Sequence, residues 1–171
     1  DYTGVDYPGE SCGYLSDVSE WTDIQAYNVS FGQGIMITPL QLARFYGALV
    51  NDGVECTPHF LLAKPQTGEQ PVYQTEKVIK NTEAIGPVTS MLQSVVLFGT
   101  GMDAQIAEFD PAGKTGKAEI VGEDGTYLYE NYNISFIGYL PDSNSSLVCF
   151  VGVTNVPGDR LTTPAFADIM A

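Results

Sequence analysis

The sequence predicts an α/β protein of the α+β type, an antiparallel sheet flanked by helices. Two observations carry this. Three strand-like apolar runs, at about 112–121, 132–140 and 146–155, follow one another through short links, and short links favour antiparallel neighbours, hence a three-strand meander. Two earlier stretches show helical spacing of apolar residues instead. The chain of 171 residues is about one domain long and can bury a core.

Residues 1–30 are rich in Gly, Ser, Asp and Tyr and read as a loop-dominated lead-in, with Trp21 as a local anchor. The first helix follows. Thr38 is a good N-cap, Pro39 suits the first helical position, and Leu42, Ala43, Tyr46, Leu49 and Val50 form one apolar face. Gly53 is a natural stop. Residues 54–80 read as irregular with short extended pieces, and "KPQTGEQPVYQ" as a surface hairpin. The second helix is expected at about 83–98, with Val88, Met91, Leu92, Val95 and Val96 as its buried stripe. Gly99-Thr100-Gly101 is a tight turn. Asp124-Gly125 signals a hairpin between the first two strands, and "PDSNSS" links the second and third. Thr163 and Pro164 read as an N-cap and first-turn pair opening a short final helix.

Composition excludes several functions. The net charge of −14, with 7 basic against 21 acidic residues, argues against nucleic acid and anionic lipid. No apolar run approaches the roughly 20 residues that span a bilayer. Cys12, Cys56 and Cys149 lack metal-type spacing. Cys149 reads as a small core residue, and pairing of Cys12 with Cys56 stays open. His59 has no Cys or His ligand set nearby in sequence and reads as a surface or packing residue. No metal or cofactor is expected.

Against that background the stretch "PAGKTGKAEI" places two of the scarce cations, Lys114 and Lys117, around Thr115 and Gly116 on a strand. Alternation puts Thr115 and Lys117 on one face, Lys114 and Gly116 on the other, although a twisted edge can bring a long lysine around. Gly116 admits close approach of another backbone, Thr115 offers a hydroxyl, and either lysine offers a cation for a carboxylate. Together they suit an extended peptide with a free carboxylate end.

Lys114-Thr115-Gly116 resembles the third signature of the penicillin-recognising serine transpeptidases. Further stretches resemble the class B penicillin-binding proteins, which crosslink peptidoglycan: "VDYPGES", "SFGQGIMITPLQLARFYGALVNDG", and "LFGTGMDAQI" leading to "PAGKTGKAE". "SFIGYLP", "VCFVGVTN" and "TPAFADIM" fall where that family has its last two strands and closing helix. The resemblance implies the serine β-lactamase/penicillin-binding-protein transpeptidase fold. It also implies a serine acyl-transfer reaction on the D-Ala-D-Ala end of a stem peptide, inhibited by β-lactams.

By that resemblance Lys114 and Lys117 are the catalytic residues, and Thr115 and Gly116 bind substrate. Lys114 would supply local electrostatics, Thr115 would hydrogen-bond the terminal carboxylate, and Gly116 would let the ligand backbone lie alongside. The backbone N–H of Lys117 would be one oxyanion donor. Position 117 departs from the family, where Thr or Ser is common; the Lys117 side chain either adds a charge on the Thr115 face or points to solvent. Phe31, Gly32, Gln33 and Gly34 are expected to shape a turn behind the site. Tyr127, Tyr129 and Tyr132 either line a rim near the strand or cover the hairpin, and packing is the favoured reading.

The family's nucleophile lies in Ser-x-x-Lys, and no lysine here has a serine three residues before it. Ser-x-Asn is also absent, Ser143-Asn144-Ser145 having the wrong order. In the family both motifs precede the Asp-x-Pro-Gly-Glu segment. Residues 1–171 are therefore expected to be the C-terminal portion of a transpeptidase domain, inactive alone because the acyl-accepting atom is elsewhere. The expected partners are peptidoglycan stem peptides, β-lactams, the N-terminal part of the same domain and other cell-wall synthesis proteins. The location implied is the outer face of the bacterial plasma membrane. A non-catalytic sensor or scaffold is the alternative, and the strand at 146–155 is expected to expose an edge that invites pairing.

Overall fold

The computed structural model describes residues 1–122, 126–141, 143, 146–158 and 162–171. The Asp124-Gly125 turn and the segment Asn144-Ser145 lie outside these.

Strands β3 (Ala112–Val121), β4 (Tyr127–Tyr139) and β5 (Val148–Val156) form an antiparallel meander in that order, as expected. Alternation along β4 feeds two cores. Phe136 and Leu140 meet Val96, Ala104, Ile106 and Phe166 in one, and Ile137 and Tyr139 meet Tyr46, Leu49 and Ala112 in the other. Covered on both faces, β4 reads as the near-continuous apolar run "ISFIGYL". It begins at Tyr127, five residues before the expected start, because its first part is an exposed polar and aromatic ribbon beyond the cores.

Helix α2 (Pro39–Val50) covers one face. Its start is a full capping box: Thr38 Oγ1 accepts from the Gln41 N–H at 3.2 Å, and Gln41 Oε1 accepts from the Thr38 N–H at 2.9 Å. Thr38→Ala is expected to cost about 1 kcal/mol in chemical denaturation, with Thr38→Ser retaining most of it. Beyond the other end, Gly53 adopts φ +82° and returns its N–H to the Ala48 carbonyl at 2.7 Å, a left-handed conformation that favours glycine. The chain then enters a small two-stranded sheet, β1 (Val54–Cys56) with β2 (Thr75–Lys77).

Helix α3 (Ile85–Phe98) follows a 3-10 turn at Thr82–Ala84. It lies along the β3 flank and sends Leu92 to one core and Val96 to the other. The expected stripe is too wide: Met91 is 68% exposed and Val88 faces outward, because a helix at a sheet flank buries only a narrow side. Helix α4 (Thr162–Met170) closes the second core through Phe166. Thr163 is inside its first turn and is not the N-cap. Pro164 is still compatible, since first-turn N–H groups have no helical acceptor.

The lead-in holds a helix that the sequence reading missed, α1 (Asp23–Ser30), capped by Thr22. It buries no residue, with Ile24 and Tyr27 both exposed, so it has no apolar stripe to reveal it. Trp21 does anchor the segment, its indole N–H donating to Ser16. All three cysteines are free; Cys149 packs against the core, and burial pushes its thiol pKa up. Among the described residues β5 has a second edge with no strand partner, and no helix is long and apolar enough to cross a membrane.

Candidate active site

Strand β3 is an outer strand, paired only to β4 among the described strands. Its residues 114–117 pair with Ile137, Phe136, Ser135 and Ile134. This segment lines two adjoining hollows. One is an open groove of about 850 Å³ on the α2 side, walled by Phe31, Gln33, Leu42, Lys114, Gly116 and Phe150 among others. The other, of about 230 Å³, is bordered by Thr100, Thr115, Lys117, Ser135 and the start of α4. No carboxylate lines either hollow among the described residues, although the chain carries 21 acidic groups.

The strand alternation places the side chains as the sequence indicated. Thr115 and Lys117 lie on one face: Thr115 Oγ1 is 2.6 Å from Thr100 Oγ1, and the Lys117 ammonium sits 3.7 Å from the centroid of Tyr132. Lys114 and Gly116 are on the other. The Lys114 ammonium curls back along its own strand and donates to the Thr115 carbonyl at 2.9 Å. Ion pairs join Arg44 to Glu55 and Lys64 to Glu69, and none among the described residues joins Lys114 or Lys117 to a carboxylate. Gly116 is a point of close contact: a Cβ there would lie 2.5 Å from Ser135 Oγ. The hydroxyl of Ser135 thus occupies the space a side chain would need.

Lys117 resolves between the two orientations left open by sequence. Its charge stays on the Thr115 face, in a cation–π contact, and borders the smaller hollow. Of the three hairpin tyrosines, Tyr132 makes this contact at the rim of the strand, while Tyr127 and Tyr129 are exposed. Phe31, Gly32 and Gln33 correct another expectation. They do form a turn, with Gly32 and Gly34 at positive φ, but it borders the groove instead of lying behind it. Sequence reasoning missed Ser135 and saw Thr100 only as a turn residue, because their relation to residues 115–117 depends on chain packing and strand register.

The segment "VDYPGES" works away from the groove. Asp6 accepts the N–H groups of Phe60 and Leu61 and the hydroxyl of Tyr73, and these bonds hold its pKa below the ordinary 3.8. Glu10 accepts from the Thr3 hydroxyl and from the Thr3 and Gly4 N–H groups, which lowers its pKa too. The two carboxylates tie the lead-in together and to the loop after β1. His59 stacks on Tyr73 with centroids 3.7 Å apart, a packing role as expected. Burial pushes the Tyr46 hydroxyl up to about 12, placing this phenol with the core and not with the chemistry.

A family model described as the penicillin binding protein transpeptidase domain matches residues 1–171. Stage V sporulation protein D of Bacillus subtilis is 34% identical over 91% of this chain and 25% of its own length. The peptidoglycan D,D-transpeptidase FtsI of Escherichia coli is 31% identical over 98% of this chain and 28% of its own. Among solved structures, penicillin-binding protein 3 of Mycobacterium tuberculosis complexed with aztreonam superposes with a TM-score of 0.86 at 30% identity. That match covers 98% of this chain and 41% of the solved one. The chain therefore spans about a quarter of the length of these relatives. The fold is that of the penicillin-binding-protein transpeptidases, as the sequence implied.

Proposed function

The chain belongs to the penicillin binding protein transpeptidase domain family, and from that membership we propose that residues 1–171 form the substrate-side wall of a peptidoglycan D,D-transpeptidase. The observation that carries this reading is the exposed strand 114–117. It lines an open groove and offers two cations and a hydroxyl where, among the described residues, no carboxylate intrudes. In so acidic a chain, such a patch favours a ligand with an anionic end.

The ligand is a stem peptide ending in D-Ala-D-Ala, or a β-lactam that imitates it; penicillin-binding protein 3 of M. tuberculosis is seen with aztreonam and with ampicillin. Thr115 donates its hydroxyl proton to the ligand carboxylate, and the Lys114 ammonium provides the positive field around it. Gly116 keeps the strand narrow where the ligand backbone lies. The Lys117 N–H is one oxyanion donor, and its ammonium adds a charge where a hydroxyl is usual in the family.

The attacking group is a serine hydroxyl outside residues 1–171, since this chain contains no Ser-x-x-Lys. Its oxygen bonds to the penultimate D-Ala carbonyl carbon. The C–N bond to the terminal D-Ala breaks, and that residue leaves as an amine after gaining a proton. A second stem peptide's amine then displaces the serine. The exposed apolar side chains of Phe31, Met36, Ile37 and Phe45 suit contact with the rest of such a domain. Substrate chemistry places the reaction outside the plasma membrane.

Fluorescent penicillin tests this reading. The complete gene product is expected to label covalently and to be protected by excess aztreonam. Absence of labelling in folded complete protein would count against a penicillin-reactive transpeptidase.

A further inference from the structure

We propose that Thr100 is a positioning residue that sets the direction of the Thr115 hydroxyl proton and so tunes recognition of the ligand carboxylate. This rests on the reading of the groove given above. The two hydroxyl oxygens are 2.6 Å apart, a hydrogen bond in which either could donate. A carboxylate only accepts, and Thr115 has a single proton. When Thr115 donates to a carboxylate, the bond between the hydroxyls must therefore run from Thr100 to Thr115. Such a chain polarises its final donor and strengthens it.

The turn is built to hold this geometry. The N–H groups of Gly99 and Gly101 both return to the Val95 carbonyl, at 3.1 and 3.0 Å, and clamp Thr100 to the last turn of α3. Gly101 is buried, and a Cβ there would come within 3.2 Å of that carbonyl and 3.3 Å of the Phe136 ring. The Gly-Thr-Gly sequence thus brings the turn close to the sheet and presents one hydroxyl to Thr115. Thr100 borders the same small hollow as Thr115 and Lys117.

The test uses the complete gene product and two probes, benzylpenicillin and its methyl ester, which removes the carboxylate charge. The readout is the ratio of acylation rates, acid over ester, within each variant. Thr115→Val is expected to lower this ratio strongly. Thr100→Val is expected to lower it about three- to tenfold, the scale of one neutral hydrogen bond. Thr100→Ser should restore the ratio, and the double variant should be no worse than Thr115→Val alone. If Thr115→Val lowers the ratio and Thr100→Val leaves it unchanged, or slows acid and ester alike, the positioning role is overturned while the groove reading stands. If Thr115→Val itself leaves the ratio unchanged, the groove reading fails and takes this inference with it.

Discussion

Replacing Lys114 by alanine is expected to slow acylation of the complete protein by a penicillin roughly 10- to 150-fold, with little change in its melting temperature. The side chain is exposed, its ammonium donates to the Thr115 carbonyl, and it has no ion pair among the described residues. Little folding energy is therefore at stake. What is lost is a cation beside an anionic ligand, and a hydrogen bond to a charged group is worth about 1.5–3 kcal/mol, which sets that range. Stopped-flow acylation with a chromogenic β-lactam measures it. A Lys114→Ala protein that acylates at the unmodified rate would remove Lys114 from the site.

Phe136→Ala is expected to act in the opposite way, through stability. Its ring is fully buried, stands 4.8 Å from that of Phe166 and lies in the core that also holds Val96 and Ala104. Emptying such a position costs about 3–5 kcal/mol, from lost burial and from the cavity left behind. The change also touches the site, because Phe136 is the cross-strand partner of Thr115. Denaturant unfolding of the purified domain is the check, and a loss under about 1 kcal/mol would mean that this core repacks far more freely than its burial implies.

Local rules made some elements legible and left others invisible. Helix α2 was readable because its cap, its Pro39 and its apolar face all agree. The meander was readable because β4 and β5 are apolar runs joined by a short link. Helix α1 was not, since none of its residues is buried and its sequence carries no stripe. Met91 occupies a helical-stripe position yet faces outward, because periodicity does not say how wide a flank the neighbouring sheet can cover. At the site, Lys114 to Lys117 stood out by chemistry and by family resemblance. Thr100 was visible only as a turn residue, because nothing local couples residue 100 to residue 115. The Phe31–Gly34 turn was read correctly as a turn, but its side of the groove is decided by tertiary packing.

In the proposed division of labour, the docking strand lies inside residues 1–171 and the acyl-accepting serine outside them. Intact-mass measurement followed by peptide mapping of the penicillin-treated complete gene product tests this directly, with the 171-residue chain treated in parallel. One penicilloyl group is expected on the complete protein, on a peptide outside this stretch, and none on the chain alone. A penicilloyl group mapped to a serine within residues 1–171 would contradict it.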